Sequence, residues 1–132
     1  MARKSRYVET VREKETNTIW CAALYIRLSR EDGDKEESDS VANQRKLLMN
    51  FMDEHPDVEF GGLYIDDGWS GTNLNRPDFV RMMEDIRSKK VNCVIVKDLS
   101  RFGRNYIETG KYLEQIFPFL NVRFIAVNDM LD

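Results

Sequence analysis

Long apolar runs, cysteine, histidine and an excess of basic charge are what this sequence has least of. No hydrophobic stretch approaches the roughly 20 residues that a membrane-crossing helix needs, and the first residues contain no apolar signal core. The expectation is a cytoplasmic protein with no membrane partner. The two cysteines, Cys21 and Cys93, lie in separate apolar runs without the spacing of a zinc site or a redox pair. Both are read as reduced, buried and inert. The single histidine, His55, precedes Pro56 at the end of a helical pattern. That position suits a surface imidazole near a helix C-terminus and leaves Ser-His-Asp chemistry without its base. A formal net charge of −3, from 20 basic and 23 acidic residues, argues against a domain that wraps DNA nonspecifically by itself. It leaves room for a local basic site. Internal repeats and low-complexity tracts are also missing.

What is present is a chain of 132 residues, 42% hydrophobic, long enough to bury an ordinary core in one domain. Residues 1–18 mix both charges with little periodicity and are read as a flexible leader, with the domain proper over 19–132. Residues 19–26 form an apolar run expected to be a buried strand. Ser40 is placed to cap a helix carrying Val41, Leu47, Leu48, Phe51 and Met52 at helical spacing, and Pro56 ends it. Residues 58–65 make a second strand. Pro77 opens a second helix with Phe79, Met82, Met83 and Ile86 on its apolar face. Residues 91–96 read as a third strand, central enough to be covered on both faces. A third helix over about 106–117 turns Ile107, Tyr112, Leu113 and Ile116 inward, with Pro118 at its end, and 122–127 form a fourth strand. This alternation predicts an α/β fold of three layers, α/β/α, around a mostly parallel sheet of four to five strands.

In such a sheet the carboxyl ends of the strands share one edge, and the chemistry-bearing residues fall there. Arg27 and Ser29 end the first strand, and alternation puts them on one side of the backbone. The following loop, 30–39, holds six acids against two bases and lacks the spacing of a calcium loop, so it reads as solvated. Gln44, one turn into the first helix, is either solvated or turned toward the loop at Ser29. After the second strand, residues 66–77 form a glycine-rich polar loop containing Ser70 and Arg76. Its Gly68-x-Ser70-Gly71 differs from a nucleophile elbow in the position of the second glycine. After the third strand, Lys97, Arg101 and Arg104 put three cations into eight residues, the local basic site that the net charge conceals. One hydroxyl among four arginines and a lysine, with no histidine, suits phosphoryl transfer. The cations stabilise charge on the equatorial oxygens, and no metal is required.

Four ordered motifs carry a resemblance. Tyr25-x-Arg27-x-Ser29, Ser40-x-x-x-Gln44, Asp67-Gly68-x-Ser70-Gly71 with Arg76-Pro77, and Lys97-x-Leu99-x-Arg101-Phe102-Gly103-Arg104 together resemble the catalytic domain of the serine recombinases, the resolvase and invertase family. The run from Asp98 to Asn105 is most similar to the large, transposon- or phage-borne branch. The resemblance implies that Ser29 attacks a DNA phosphodiester, forms a covalent 5′-phosphoserine and releases a 3′-hydroxyl, with no cofactor and no metal. It implies catalytic phosphate contacts from Arg27, Arg76, Arg101 and Arg104, supported by Gln44, Ser70, Lys97 and Ser40. The implied partners are DNA at a recombination site and further copies of the chain, as a dimer on DNA and a tetramer in synapsis, in excision or integration of a mobile element.

Two departures stand out. Small resolvases carry aspartate where Ser100 stands, which puts any acid-base or arginine-orienting role of that carboxylate in doubt. The acidic insertion also lengthens the loop between Ser29 and Ser40. The oligomerisation helix and DNA-binding domains of family members do not appear within these residues. The expectation is therefore a catalytic domain that alone is a monomer or weak dimer, binds DNA weakly and does not recombine it. Two other classes remain: a catalytically silent α/β module that binds an anion or mediates assembly, and a metal-dependent phosphohydrolase or nuclease using Asp66, Asp67 and the acidic loop.

Overall fold

The computed structural model describes residues 19–28, 40–67, 76–103, 106–130 and 132. The 1–18 leader and the acidic loop, 31–39, lie outside them. In chain order the elements are strand β1 (Trp20–Leu28), helix α1 (Val41–Asp53), strand β2 (Val58–Asp67), helix α2 (Pro77–Arg87), strand β3 (Cys93–Val96) and the helical turn α3 (Leu99–Phe102). Helix α4 (Tyr106–Lys111) then runs through a π-helical segment, Tyr112–Ile116, into the turn α5 (Phe117–Phe119), and strand β4 (Arg123–Ala126) follows. The four strands pair in the order β2-β1-β3-β4, every pair parallel. This is the expected parallel α/β sheet. No helix among the described residues is long and apolar enough to cross a membrane.

The two faces of the sheet follow from alternation along β1. Ala22, Leu24 and Ile26 pack with Leu48 of α1, Val58, Cys93, Ile95 and Ile125. Ala23 and Tyr25 face the other way, into Phe79, Met82, Met83 and Ile86 of α2 and the aromatic residues Phe102, Phe117 and Phe124. Helices therefore cover both faces, which gives the three layers. Cys93 is buried among apolar neighbours, and burial pushes its thiol up to about 12. Cys21 is half-buried.

One irregularity decides what β2 presents. The register runs Ala22↔Phe60 and then Ala23↔Gly62, so Gly61 is an extra residue in β2. A one-residue insertion reverses which side chains share a face. Beyond it Tyr25 pairs with Tyr64 and Arg27 with Asp66. Only glycine fits there, because a Cβ would stand 2.7 Å from Cys21 Sγ and 2.9 Å from both Ala22 O and Val91 Cγ1.

Two expectations need correction. Ile107 is 83% exposed, not inward, while Tyr112, Leu113 and Ile116 do pack against the core. Pro118 does not stop the third helix, which widens into the π segment, with Phe117 N–H donating to Tyr112 O, and continues to Phe119. A proline inside a helix lacks one N–H and crowds the carbonyl a turn before it, and the widened segment lies directly ahead of Pro118.

Substituting Gly61→Ala is expected to cost about 1–3 kcal/mol, since the added methyl meets backbone and packed side chains. Urea denaturation measures this, and an unchanged midpoint would show that the bulge can yield.

Candidate active site at the carboxyl edge of the sheet

From β1 the chain moves outward to β2 in one direction and to β3 and β4 in the other, so the order reverses between β1 and β3. The crevice at the carboxyl ends of those strands is where open parallel sheets bind ligands. Arg27 lies at the end of β1 and Arg101 in the turn α3 just after β3, on either side of it.

Three arginines are buried at this edge: Arg27 and Arg76 are fully buried and Arg101 is 6% exposed. A buried guanidinium needs acceptors for its N–H groups. Arg27 donates from Nε to Arg101 O at 3.3 Å and from Nη2 to Ser100 O at 2.7 Å. Arg101 answers from Nη1 to Arg27 O at 3.0 Å, and Gln44 Nε2 donates to the same oxygen at 3.2 Å. Strand and turn thus hold each other through exchanged guanidinium–carbonyl bonds, with α1 joined through Gln44.

Arg76 enters from the residue before α2. Its Nη2 donates to Phe102 O at 2.7 Å, and its guanidinium lies 5.5 Å from the Tyr25 ring and 5.3 Å from the Phe79 ring. Among the described residues nothing accepts from its Nε or Nη1. Burial pushes Arg76 below its ordinary value, while Tyr25, Asp66 and Tyr112 oppose the shift. These donors are therefore already desolvated and held in place.

Asp66 holds the frame. Its Oδ1 accepts from Asp78 N at 2.9 Å, and its Oδ2 accepts from Phe79 N at 2.9 Å and Tyr25 Oη at 2.8 Å. A carboxylate is well placed against the first N–H groups of a helix. Asp78 Oδ2 returns the link by accepting from Ile65 N at 2.8 Å, so strand β2 and helix α2 are fastened in both directions. Burial is the main cause of the raised Tyr25 phenol, opposed by Arg76 and reinforced by Asp66. The residue thus remains a neutral donor to Asp66.

Ser29, Ser70 and Arg104 lie outside the described residues. The other expected groups divide in two. Arg27, Arg76, Arg101 and Gln44 come together as above. Ser40 caps α1, its Oγ accepting from Asn43 N at 3.1 Å, and Lys97 follows β3, its carbonyl accepting from Asn128 N at 2.8 Å. Sequence reasoning missed Asp66 as a structural acceptor and gave Asp98 no role of its own. Asp98 caps α3, and its position three residues before Arg101 was a readable capping signal. The three donors on Asp66 leave little of that carboxylate for the metal-dependent alternative.

The family model described as Resolvase, N terminal domain, matches residues 22–132. The chain belongs to the resolvase family of serine recombinases. Its structure is similar to the N-terminal catalytic domain of TP901-1 integrase, at 27% identity and a TM-score of 0.73, covering 83% of this chain and 78% of that one. It is also similar to a resolvase family site-specific recombinase from Streptococcus pneumoniae, at 36% identity and a TM-score of 0.68, covering 86% and 75%. A third similar structure is the first open reading frame of transposon ISC1904 from Sulfolobus solfataricus P2, at 27% identity and a TM-score of 0.60, covering 82% and 67%. No curated protein matches the sequence. The domain is thus a site-specific recombinase catalytic domain with the resolvase-like α/β fold, and the buried arginines lie on the motifs by which the sequence resembles that family.

Replacing the Asp66 carboxylate by an amide, Asp66→Asn, turns an NH2 toward at least one of its three donors. This recombinase domain is then expected to lose about 1–3 kcal/mol of stability, read from its denaturation midpoint. An unchanged midpoint would mean that Asp66 does not hold α2.

Proposed function

We propose that this domain cuts and rejoins DNA through a covalent 5′-phosphoserine at Ser29. In cleavage the Ser29 Oγ–P bond forms as the P–O3′ bond breaks, and the proton lost by the serine is balanced by the one the 3′-oxygen gains. Rejoining reverses the step, with a 3′-hydroxyl attacking the phosphoserine. The bond energy is conserved in the linkage, so no nucleotide cofactor is needed. Arg27, Arg76, Arg101 and Arg104 serve the charged phosphate in this reading, with Gln44, Ser70, Lys97 and Ser40 in support. The observation that carries it is Arg76, fully buried, with two guanidinium nitrogens that meet no acceptor among the described residues. A pentacoordinate phosphorus with charge on its equatorial oxygens is the kind of partner such donors fit.

The working unit in this proposal is a dimer on DNA that pairs into a tetramer, in the cytoplasm. The 132 residues alone are expected to be a monomer or weak dimer that binds DNA weakly, in keeping with the net charge of −3. Two structural neighbours, an integrase and a transposon reading frame, support excision or integration of a mobile element.

The test is covalent trapping with a chelator present throughout. The full-length recombinase is incubated with duplex DNA spanning the ends of its own mobile element, quenched in denaturant and examined for protein on a 5′ end. An adduct mapping to Ser29 and absent from Ser29→Ala is the expected result. Arg76→Lys keeps the charge but loses the planar fork, and is expected to slow adduct formation by about 10²-fold. Cleavage that needs metal and leaves no adduct would move the active site to the carboxylates. A Ser29→Ala protein that recombines normally would favour the silent module.

A further inference from the structure

Asp98 gathers three groups of the α3 turn around one oxygen. Its Oδ1 accepts from Ser100 Oγ at 2.6 Å and from Arg101 N at 3.2 Å, and lies 3.8 Å from Arg101 Nε. The far end of the same guanidinium reaches Arg27 O through Nη1. Arg101 therefore lies between a carboxylate charge on its own turn, 3.8 Å from Nε, and a carbonyl on β1 that accepts from Nη1, at a site where it is almost wholly buried. Coulombic attraction is weakly screened there, so a charge 3.8 Å from Nε restrains the side chain more than the same pair would in water.

We propose that Asp98 is the positioning residue of Arg101: its carboxylate, itself held by the Ser100 hydroxyl, sets the guanidinium in the orientation the phosphate meets. This rests on the recombinase reading and adds a group to it. Asp98 does not touch the reacting atoms. It fixes the plane of the arginine before DNA arrives, so none of that ordering is left to the reaction step. Capping and positioning are separable, because asparagine caps a helix about as well as aspartate but brings no charge to Arg101. The turn has a second anchor in Asp129, whose Oδ2 accepts from Leu99 N at 2.8 Å.

The test compares wild type, Asp98→Asn and Ser100→Ala in two assays. In the first, 15N-labelled protein without DNA is examined for its arginine Nε–Hε signals. The Arg101 signal is expected to shift and exchange faster with solvent in Asp98→Asn, and to shift less in Ser100→Ala. In the second, the rate of Ser29 adduct formation is measured against the concentration of duplex carrying the element ends. Asp98→Asn is expected to lower the saturating rate by about 10²-fold while KM moves by less than about threefold, with the melting temperature close to wild type. An unmoved Arg101 signal and an unchanged rate would reduce Asp98 to a cap and overturn the proposal. A rate that falls only as far as the melting temperature does would overturn it as well. If wild type forms no adduct, the recombinase reading fails, and the Nε–Hε signal alone still decides whether Asp98 holds Arg101.

Discussion

The exchange of guanidinium–carbonyl bonds between Arg27 and Arg101 is the constraint on which the candidate site depends. A buried arginine is tolerated only where acceptors are built around it, and here each supplies the acceptor for the other. Because the acceptors are main-chain oxygens, the bonds fix the backbone as well as the side chains. The end of β1, which leads directly to Ser29, is tied to the turn that carries Arg101. Gln44 adds helix α1 to the same carbonyl, and Arg76 reaches the next residue of the turn, Phe102. Three segments far apart in the chain are thereby referred to one short piece of backbone.

That piece of backbone is itself anchored by packing. Phe102 is fully buried and meets Phe79 at 5.4 Å and Phe124 at 5.2 Å, both edge-to-face. Edge-to-face aromatic contacts reward particular orientations, so the turn cannot rotate without disturbing the core. Arg101 precedes Phe102 by one residue and inherits its position. Arg76 lies over Phe79 and Tyr25, so the same aromatic group that seats the turn also seats the third arginine.

The electrostatics of the domain are local. A chain of net charge −3 nevertheless concentrates three buried guanidiniums at one edge of its sheet, offset by Asp66 and the half-buried Asp98. Neither carboxylate is idle. Asp66 is committed to two helix N–H groups and a phenol, and Asp98 to the turn that it caps. Each partly compensates an arginine while leaving Arg76 two guanidinium nitrogens that no described residue answers. In the proposed reaction a phosphate meets donors that folding has already desolvated, so little reordering is left for it to bring about.

Much of this was legible in the sequence. Apolar runs separated by proline, glycine and capping residues determine the order of strands and helices, and a parallel sheet with its functional groups at the carboxyl edge follows from that order. The arginines were readable because their types and spacings sit at strand ends. The roles of the carboxylates were not. Asp66 accepts from Tyr25, 41 residues away in sequence, and Arg27 reaches the turn 73 and 74 residues away, separations that carry no local signal. The bulge at Gly61 depends on how closely Cys21, Ala22 and Val91 approach, and without it Asp66 would face the opposite side of the sheet from Tyr25. Ile107 was misjudged because helical periodicity fixes a face only while the helix stays regular and packed along its length. The sequence by itself determined the elements, their order and the residue types at the edge. Only the tertiary structure decided which of them meet, because that depends on register and steric contact between strands and helices that are remote in the chain.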